Sequence, residues 1–152
     1  MTARPKPVED AVTLRIVIRD PLAGVPLRMQ RGRFDLVAPA RQSVDEVIFE
    51  LHVQATVRAD GSLVLKGPEV QGPPTGRFVY INAGTYAGVP TSPWGRRAKV
   101  PLGRITVALV EAARTQPHAV LVAEIAGKAR DGGPAAATVP LLGAGWTVVV
   151  DP

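Results

Sequence analysis

Alternating apolar residues, turn residues at hairpin spacing and a single helical periodicity predict a mainly β fold of the α+β class. The expected form is a small antiparallel barrel or curved sheet of about eight strands, with one packed helix at about residues 102–116. Residues 1–10, proline-rich and charged, read as a flexible tail, and 11–152 as a single β-rich domain. The first strand follows the tail: Leu14, Ile16 and Ile18 point one way, and Thr13, Arg15 and Arg19 the other. Asp20-Pro21 and Gly24 turn the chain into a short strand at Leu27–Gln30, and Arg31-Gly32-Arg33 breaks it before Phe34–Ala38. Glu46–Arg58 carries the clearest pattern, with Val47, Phe49, Leu51, Val53, Ala55 and Val57 alternating against Glu46, Glu50, His52, Gln54 and Thr56. Asp60-Gly61 favours a tight hairpin into Leu63–Lys66.

Gly67–Gly76 reads as a Gly/Pro loop, Arg77–Asn82 as a short strand, and Ala83–Pro101 as a second loop punctuated by glycine and proline. The helix is drawn from Leu102, Ile105, Leu109, Ala112 and Ala113 on one side and Arg104, Glu111 and Arg114 on the other, with Pro117 as its stop. Ala119–Lys128, Ala136–Leu142 and Trp146–Val150 then form a meander with turns at Asp131–Pro134 and Gly143–Gly145. Both faces of that meander are apolar, so the helix is expected to cover one of them.

Composition narrows the function classes. The chain has 152 residues, 46% hydrophobic and 20% charged, which is ordinary for a globular protein able to bury its own core. It has no cysteine, which excludes disulfides, a thiol nucleophile and thiolate metal sites. Met1–Asp10 lacks the apolar core of a signal peptide, and no apolar run is long enough to span a bilayer, so a cytoplasmic location is expected. His52 and His118 are the only histidines and stand apart from any metal-binding or triad spacing. No metal, cofactor or catalytic residue is assigned. Glu46 and Glu50 share a strand face, and a solvated face opposite Arg15 and Arg19 explains them better than paired-carboxylate chemistry.

The charge distribution is uneven. From Val70 to Val110 there is no aspartate or glutamate, while Arg77, Arg96, Arg97, Lys99 and Arg104 contribute five positive charges, matching the formal net charge of +5. Both tyrosines and Trp94 lie in the same stretch. Guanidinium forks hold carboxylates or phosphates bidentately, aromatic faces stack on flat molecules, and glycine lets backbone N–H groups approach closely. The expected ligand-binding residues are therefore Arg77, Tyr80, Asn82, Thr85, Tyr86, Trp94, Arg96, Arg97 and Lys99, with a small anionic or aromatic molecule as ligand. The competing reading makes Trp94 a plug and the arginines caps for loop carbonyls. Nucleic acid is the alternative partner, through Arg28, Arg31, Arg33, Arg96, Arg97 and Lys99 with Tyr86 and Trp94 as stacking platforms. A self-associating module, a homodimer paired through apolar C-terminal strands or a sheet edge, is the third use. No phosphate-loop fingerprint is present.

The strings RMQRG (28–32), RFVYINAGTYAG (77–88), SPWGRRAKVPL (92–102) and ARDGGPAAATVPLL (129–142) resemble a small bacterial family of single-domain proteins of unknown function. The resemblance runs from about Leu14 to Val150. It implies a bacterial cytoplasmic protein and brings no reaction with it.

Overall fold

The computed structural model describes residues 11–21, 26–32, 35–83, 85–86, 89–90, 97–127 and 141–152, with side chains at all but 83, 85, 86, 89, 90, 97 and 144. The expected tail at 1–10, and the turn and start of a strand expected at 128–140, lie outside these residues. Thirteen strands and one helix are described: β1 (Ala11–Arg19), β2 (Leu27–Arg31), β3 (Asp35–Val37), β4 (Arg41–Gln42), β5 (Glu46–Val57), β6 (Leu63–Lys66), β7 (Gln71–Gly72), β8 (Phe78–Ala83), β9 (Thr85–Tyr86), β10 (Val89–Pro90), β11 (Arg97–Pro101), α1 (Val107–Arg114), β12 (Ala119–Ala126) and β13 (Leu141–Val150).

The strands form a seven-stranded sheet, β13-β12-β1-β5-β6-β7 with β4 on β5, and a four-stranded sheet, β11-β8-β2-β3. A two-stranded ribbon pairs β10 with β9. The fold is mainly β with one helix, as expected, and its sheets are open; no barrel closes among the described residues. Nor are all pairings antiparallel: β1 and β12 run parallel, Leu14 opposite Leu121 through Arg19 opposite Ala126. Local turn chemistry reports only on neighbours in sequence, and this pair joins segments about a hundred residues apart in the chain.

Alternation decides which side chains are buried. On β5, Val47, Phe49, Leu51, Val53 and Ala55 are all buried, and they meet Leu14, Ile16 and Ile18 of β1 in the same core. The smaller sheet contributes Leu27, Met29, Val79, Ile81, Ala98 and Val100 to that core, so the two sheets share one interior. The opposite face of the large sheet is not purely polar. Val17, Ile48, Val120 and Val122 form a second buried cluster there, which interrupts the charged rows of Arg15–Glu50 and Arg19–Glu46.

Three expectations change. The helix is shorter than 102–116, because Thr106 in an extended conformation (φ −109°, ψ 164°) is its N-cap and accepts a hydrogen bond from Leu109 N–H at 3.2 Å. Leu102 and Ile105 are buried from the turn before it, where Ile105 N–H donates to Leu102 C=O at 3.0 Å, and Val110 and Ala113 form the helix's core face. Ala83–Pro101 is not all loop: β11 takes 97–101 and pairs along β8 from Arg97 opposite Asn82 to Pro101 opposite Phe78. Finally, Gly143–Gly145 does not turn the chain. It lies within β13 where the register slips between Val122–Thr147 and Glu124–Leu142, with Gly143 and Gly145 at positive φ. Trp146 is buried beside this bulge and its Nε1–H donates to Pro101 C=O at 3.0 Å.

Candidate functional site

The outer face of the four-stranded sheet follows from strand parity. Val79 and Ile81 enter the core, so Phe78, Tyr80 and Asn82 stand on the other side of β8. Lys99 is directly opposite Tyr80 on β11, and its Nζ lies 5.5 Å from the Phe78 ring centroid, within cation–π range. On the other flank Arg28 of β2 is opposite Asn82, and Asn82 Nδ2 donates to Gln30 Oε1 at 3.4 Å. No aspartate or glutamate occurs in β2, β8 or β11.

One end of this face opens into a cleft of about 420 Å³. It is lined by Phe78 and Tyr80 and by the 69–77 segment, through Glu69, Val70, Gln71, Thr75, Gly76 and Arg77. Reciprocal backbone bonds fix that segment. Gly67 N–H donates to Val70 C=O at 2.8 Å and Val70 N–H to Gly67 C=O at 3.3 Å, which closes the turn between β6 and β7. Val70 is buried in the core and pins the turn. Beyond β7, Arg77 N–H donates to Pro74 C=O at 3.0 Å, and Arg77 Nε–H donates to Pro73 C=O at 3.2 Å. The exposed Arg77 guanidinium lies over Gly72 so closely that a β-carbon there would sit 2.6 Å from Nη2. Gly72 also has φ +123°, a conformation that residues with a side chain rarely adopt, so its backbone favours glycine.

Glu69 is the unusual member. Its side chain is only 3% exposed, and Arg31 Nε approaches Oε1 at 3.3 Å. The other oxygen, Oε2, is buried with no hydrogen-bond partner. Burying an acceptor unpaired costs about 1–3 kcal/mol, so such atoms are rare in folded proteins. Sequence reasoning missed Glu69: the acid-free window begins one residue later, at Val70. The available signal was an acid between Pro68 and an apolar Val70 inside a Gly/Pro loop, a position where the backbone holds both residues close to the core.

Of the residues expected from sequence, Arg77 and Tyr80 meet in the cleft. Lys99 stands beside it over Phe78, and Asn82 continues the same face without lining the cleft. Arg97 takes the register position opposite Asn82. Thr85 and Tyr86 form β9, whose partners are Pro90 and Val89, and their side chains lie outside the description. Trp94, Arg96 and Arg33 lie outside the described residues altogether.

Several polar groups outside the cleft are paired with one another. Glu50 and Glu46 pair with Arg15 and Arg19 across the β1–β5 register, as the solvated-face reading expects. His52 Nδ1 lies 3.2 Å from the Thr13 hydroxyl. Among the described residues no three His, Asp or Glu side chains converge as metal ligands, and no helix is long and apolar enough to cross a membrane.

Compared with known proteins, residues 12–149 match a family described as "Family of unknown function (DUF5990)". No curated protein and no solved structure matches the chain.

Proposed function

The chain belongs to DUF5990, a family of unknown function, over residues 12–149, and from that premise we propose that it is a binding module for a small anionic or aromatic molecule held in the cleft against β8. The observation that carries this reading is the cleft itself, whose lining brings Arg77 together with Phe78 and Tyr80. A guanidinium whose Nε is tied to Pro73 C=O at 3.2 Å has less rotamer freedom to lose on pairing with a carboxylate or phosphate. The aromatic floor offers area for a ring, and Lys99 beside Phe78 adds positive potential at the same place. Thr85, Tyr86, Trp94, Arg96 and Arg97, which follow β8 in the sequence, are included in the proposed site on residue type alone. Titration calorimetry with benzoate and phenyl phosphate tests the reading. Arg77→Ala should weaken binding by roughly 1.5–3 kcal/mol, the usual worth of a charge-assisted hydrogen bond. Unchanged affinity in that variant would move the site elsewhere.

A second reading is single-stranded nucleic acid lying across the outer face of the small sheet. It is favoured by the absence of acids from β2, β8 and β11, by Lys99 beside the two β8 aromatics and by Arg28 opposite Asn82 on the same face. A mobility shift at low salt that fades steeply as salt rises supports it; no shift at low salt removes it.

A further inference from the structure

We propose that the open edge of β13 pairs with the same edge of a second copy of this chain, antiparallel about a two-fold axis at Val149, so that two seven-stranded sheets become one. The pairing involves none of the residues that line the cleft, so it stands or falls apart from the ligand.

Topology and backbone parity define the edge. β13 ends the seven-stranded sheet, and among the described residues no strand pairs with its outer side. The helix packs over β1, β12 and β13 from the core face, through Val110 and Ala113. Asp151 N–H donates to His118 C=O at 3.0 Å, in line with the register that sets Ala119 opposite Val150 and Val120 opposite Val149. Bonded and non-bonded pairs alternate along an antiparallel ladder. Thr147 and Val149 therefore turn their N–H and C=O groups to β12, while Val148 and Val150 turn theirs outward. The ten residues of β13 hold no charge and no proline, the devices that usually protect a sheet edge.

A second copy is the occupant because the edge complements itself. The outward groups of Val148 bond those of the partner's Val150, and the symmetric pair repeats the contact. Val149 then faces its own mate at the axis as a non-bonded pair, with α-carbons about 4.5 Å apart. Val149 and Val150 are 39% and 49% exposed, which is the apolar surface this pairing covers. On the outer face Val149 stands opposite Val120, so the buried cluster of Val17, Ile48, Val120 and Val122 reaches the edge there and continues into the partner. On the core face Val150 meets the partner's Val148. Beside the axis Thr147 falls opposite the partner's Asp151, whose carboxylate keeps acceptor positions beyond its bonds to Arg15. No like charges are opposed, and the two-fold operation closes the assembly at two chains.

The test is sedimentation equilibrium of the full chain over a concentration series, with circular dichroism to check folding. An edge contact buries less than the ~800 Å² per partner of a standard interface, so the dimer should populate at roughly tens of micromolar and above. Val149→Lys sets like charges at the axis and should raise the dissociation constant about tenfold or more. Val150→Pro removes an outward N–H that β12 does not use, and should weaken the dimer as much. Val44→Lys, at a 90% exposed position before β5, should leave it unchanged. The chain has no cysteine, so Val149→Cys introduces the sole thiol. Mild oxidation should link that variant into dimers at least about tenfold faster than Leu36→Cys, because a non-bonded pair lies within disulfide reach. A wild-type chain that remains monomeric at millimolar concentration overturns the proposal. So does a dimer that survives either folded edge variant, because its interface lies elsewhere, and so do assemblies larger than a dimer. Should an edge variant fail to fold, the cysteine pair decides: cross-linking of Val149→Cys no faster than that of Leu36→Cys overturns the two-fold register.

Discussion

The Gly72 α-carbon lies under the Arg77 guanidinium, and this pair makes the cleft sensitive to a single methyl group. Gly72→Ala would place a β-carbon 2.6 Å from Arg77 Nη2 at φ +123°. The arginine, being the flexible partner, should swing away, and the strained backbone should cost about 1–2 kcal/mol. The expected result is a lower urea midpoint together with a loss of benzoate affinity comparable to that of Arg77→Ala; preserved affinity would show that Arg77 does not hold the ligand. At this scale sequence reading had mixed reach. Strand alternation placed Tyr80 and Asn82 on one face, because side-chain direction on a strand follows from parity alone. It passed over Glu69, whose flanking Pro68 and Val70 were the one local signal, because the carboxylate's pairing depends on Arg31, which is 38 residues away in sequence.

Among the elements, β12 and β13 show where packing overrides local signals. Gly127 ends the β12 segment against the turn after β1, where its N–H donates to Arg19 C=O at 2.6 Å. A β-carbon at Gly127 would fall 2.7 Å from Arg19 O, Asp20 O and Pro21 Cα, all of them backbone or ring atoms that cannot rotate aside. Gly127→Ala should therefore destabilise by roughly 1–3 kcal/mol in chemical denaturation without altering cleft binding. In β13, Gly143-Ala144-Gly145 looks like a turn by composition, but the pairing of β12 with both flanks makes it a bulge, and Trp146 locks it by bonding Pro101. Trp146→Phe should cost about 1–3 kcal/mol, since it leaves a partly buried carbonyl without its donor and shrinks a core side chain. The helix is simpler. Its N-cap at Thr106 predicts a loss of about 1 kcal/mol for Thr106→Ala, read by the same denaturation.

For the molecule as a whole, the outer face of the large sheet ties the C-terminus to the first strand. Arg15 donates to Glu50 at 2.8 Å and bidentately to Asp151 at 2.9 and 2.6 Å. The Arg15 hydrogen bonds hold the Asp151 carboxyl below its ordinary range, and the Ser62 hydroxyl and N–H do the same for Asp60. Both are carboxylates with depressed folded-state values. Their contribution to stability is present above the unfolded carboxylate range, near pH ~3.9, and is lost as pH falls through the folded values. Arg15 is itself raised from an already high value by Asp151, so its titration plays no part in that window. Thermal midpoints should thus decline below about pH 4, and Asp151→Asn should flatten that decline while lowering the midpoint near neutrality. An acid profile identical to wild type in that variant would show the link to be inert.

The sequence alone determined the fold class, the strands β1, β5 and β6, the positions of most core residues, and the face shared by Tyr80 and Asn82. All of these follow from period-two alternation and local turn chemistry. Tertiary structure decided the parallel pairing of β1 with β12, the bulge in β13 and the strand at 97–101. It also decided that a Gly/Pro loop would bring Glu69 and Arg77 to the aromatic edge of β8. Each of those depends on contacts between segments distant in the chain, where the free energy of burial and of cross-strand hydrogen bonds outweighs what any short window of residues prefers.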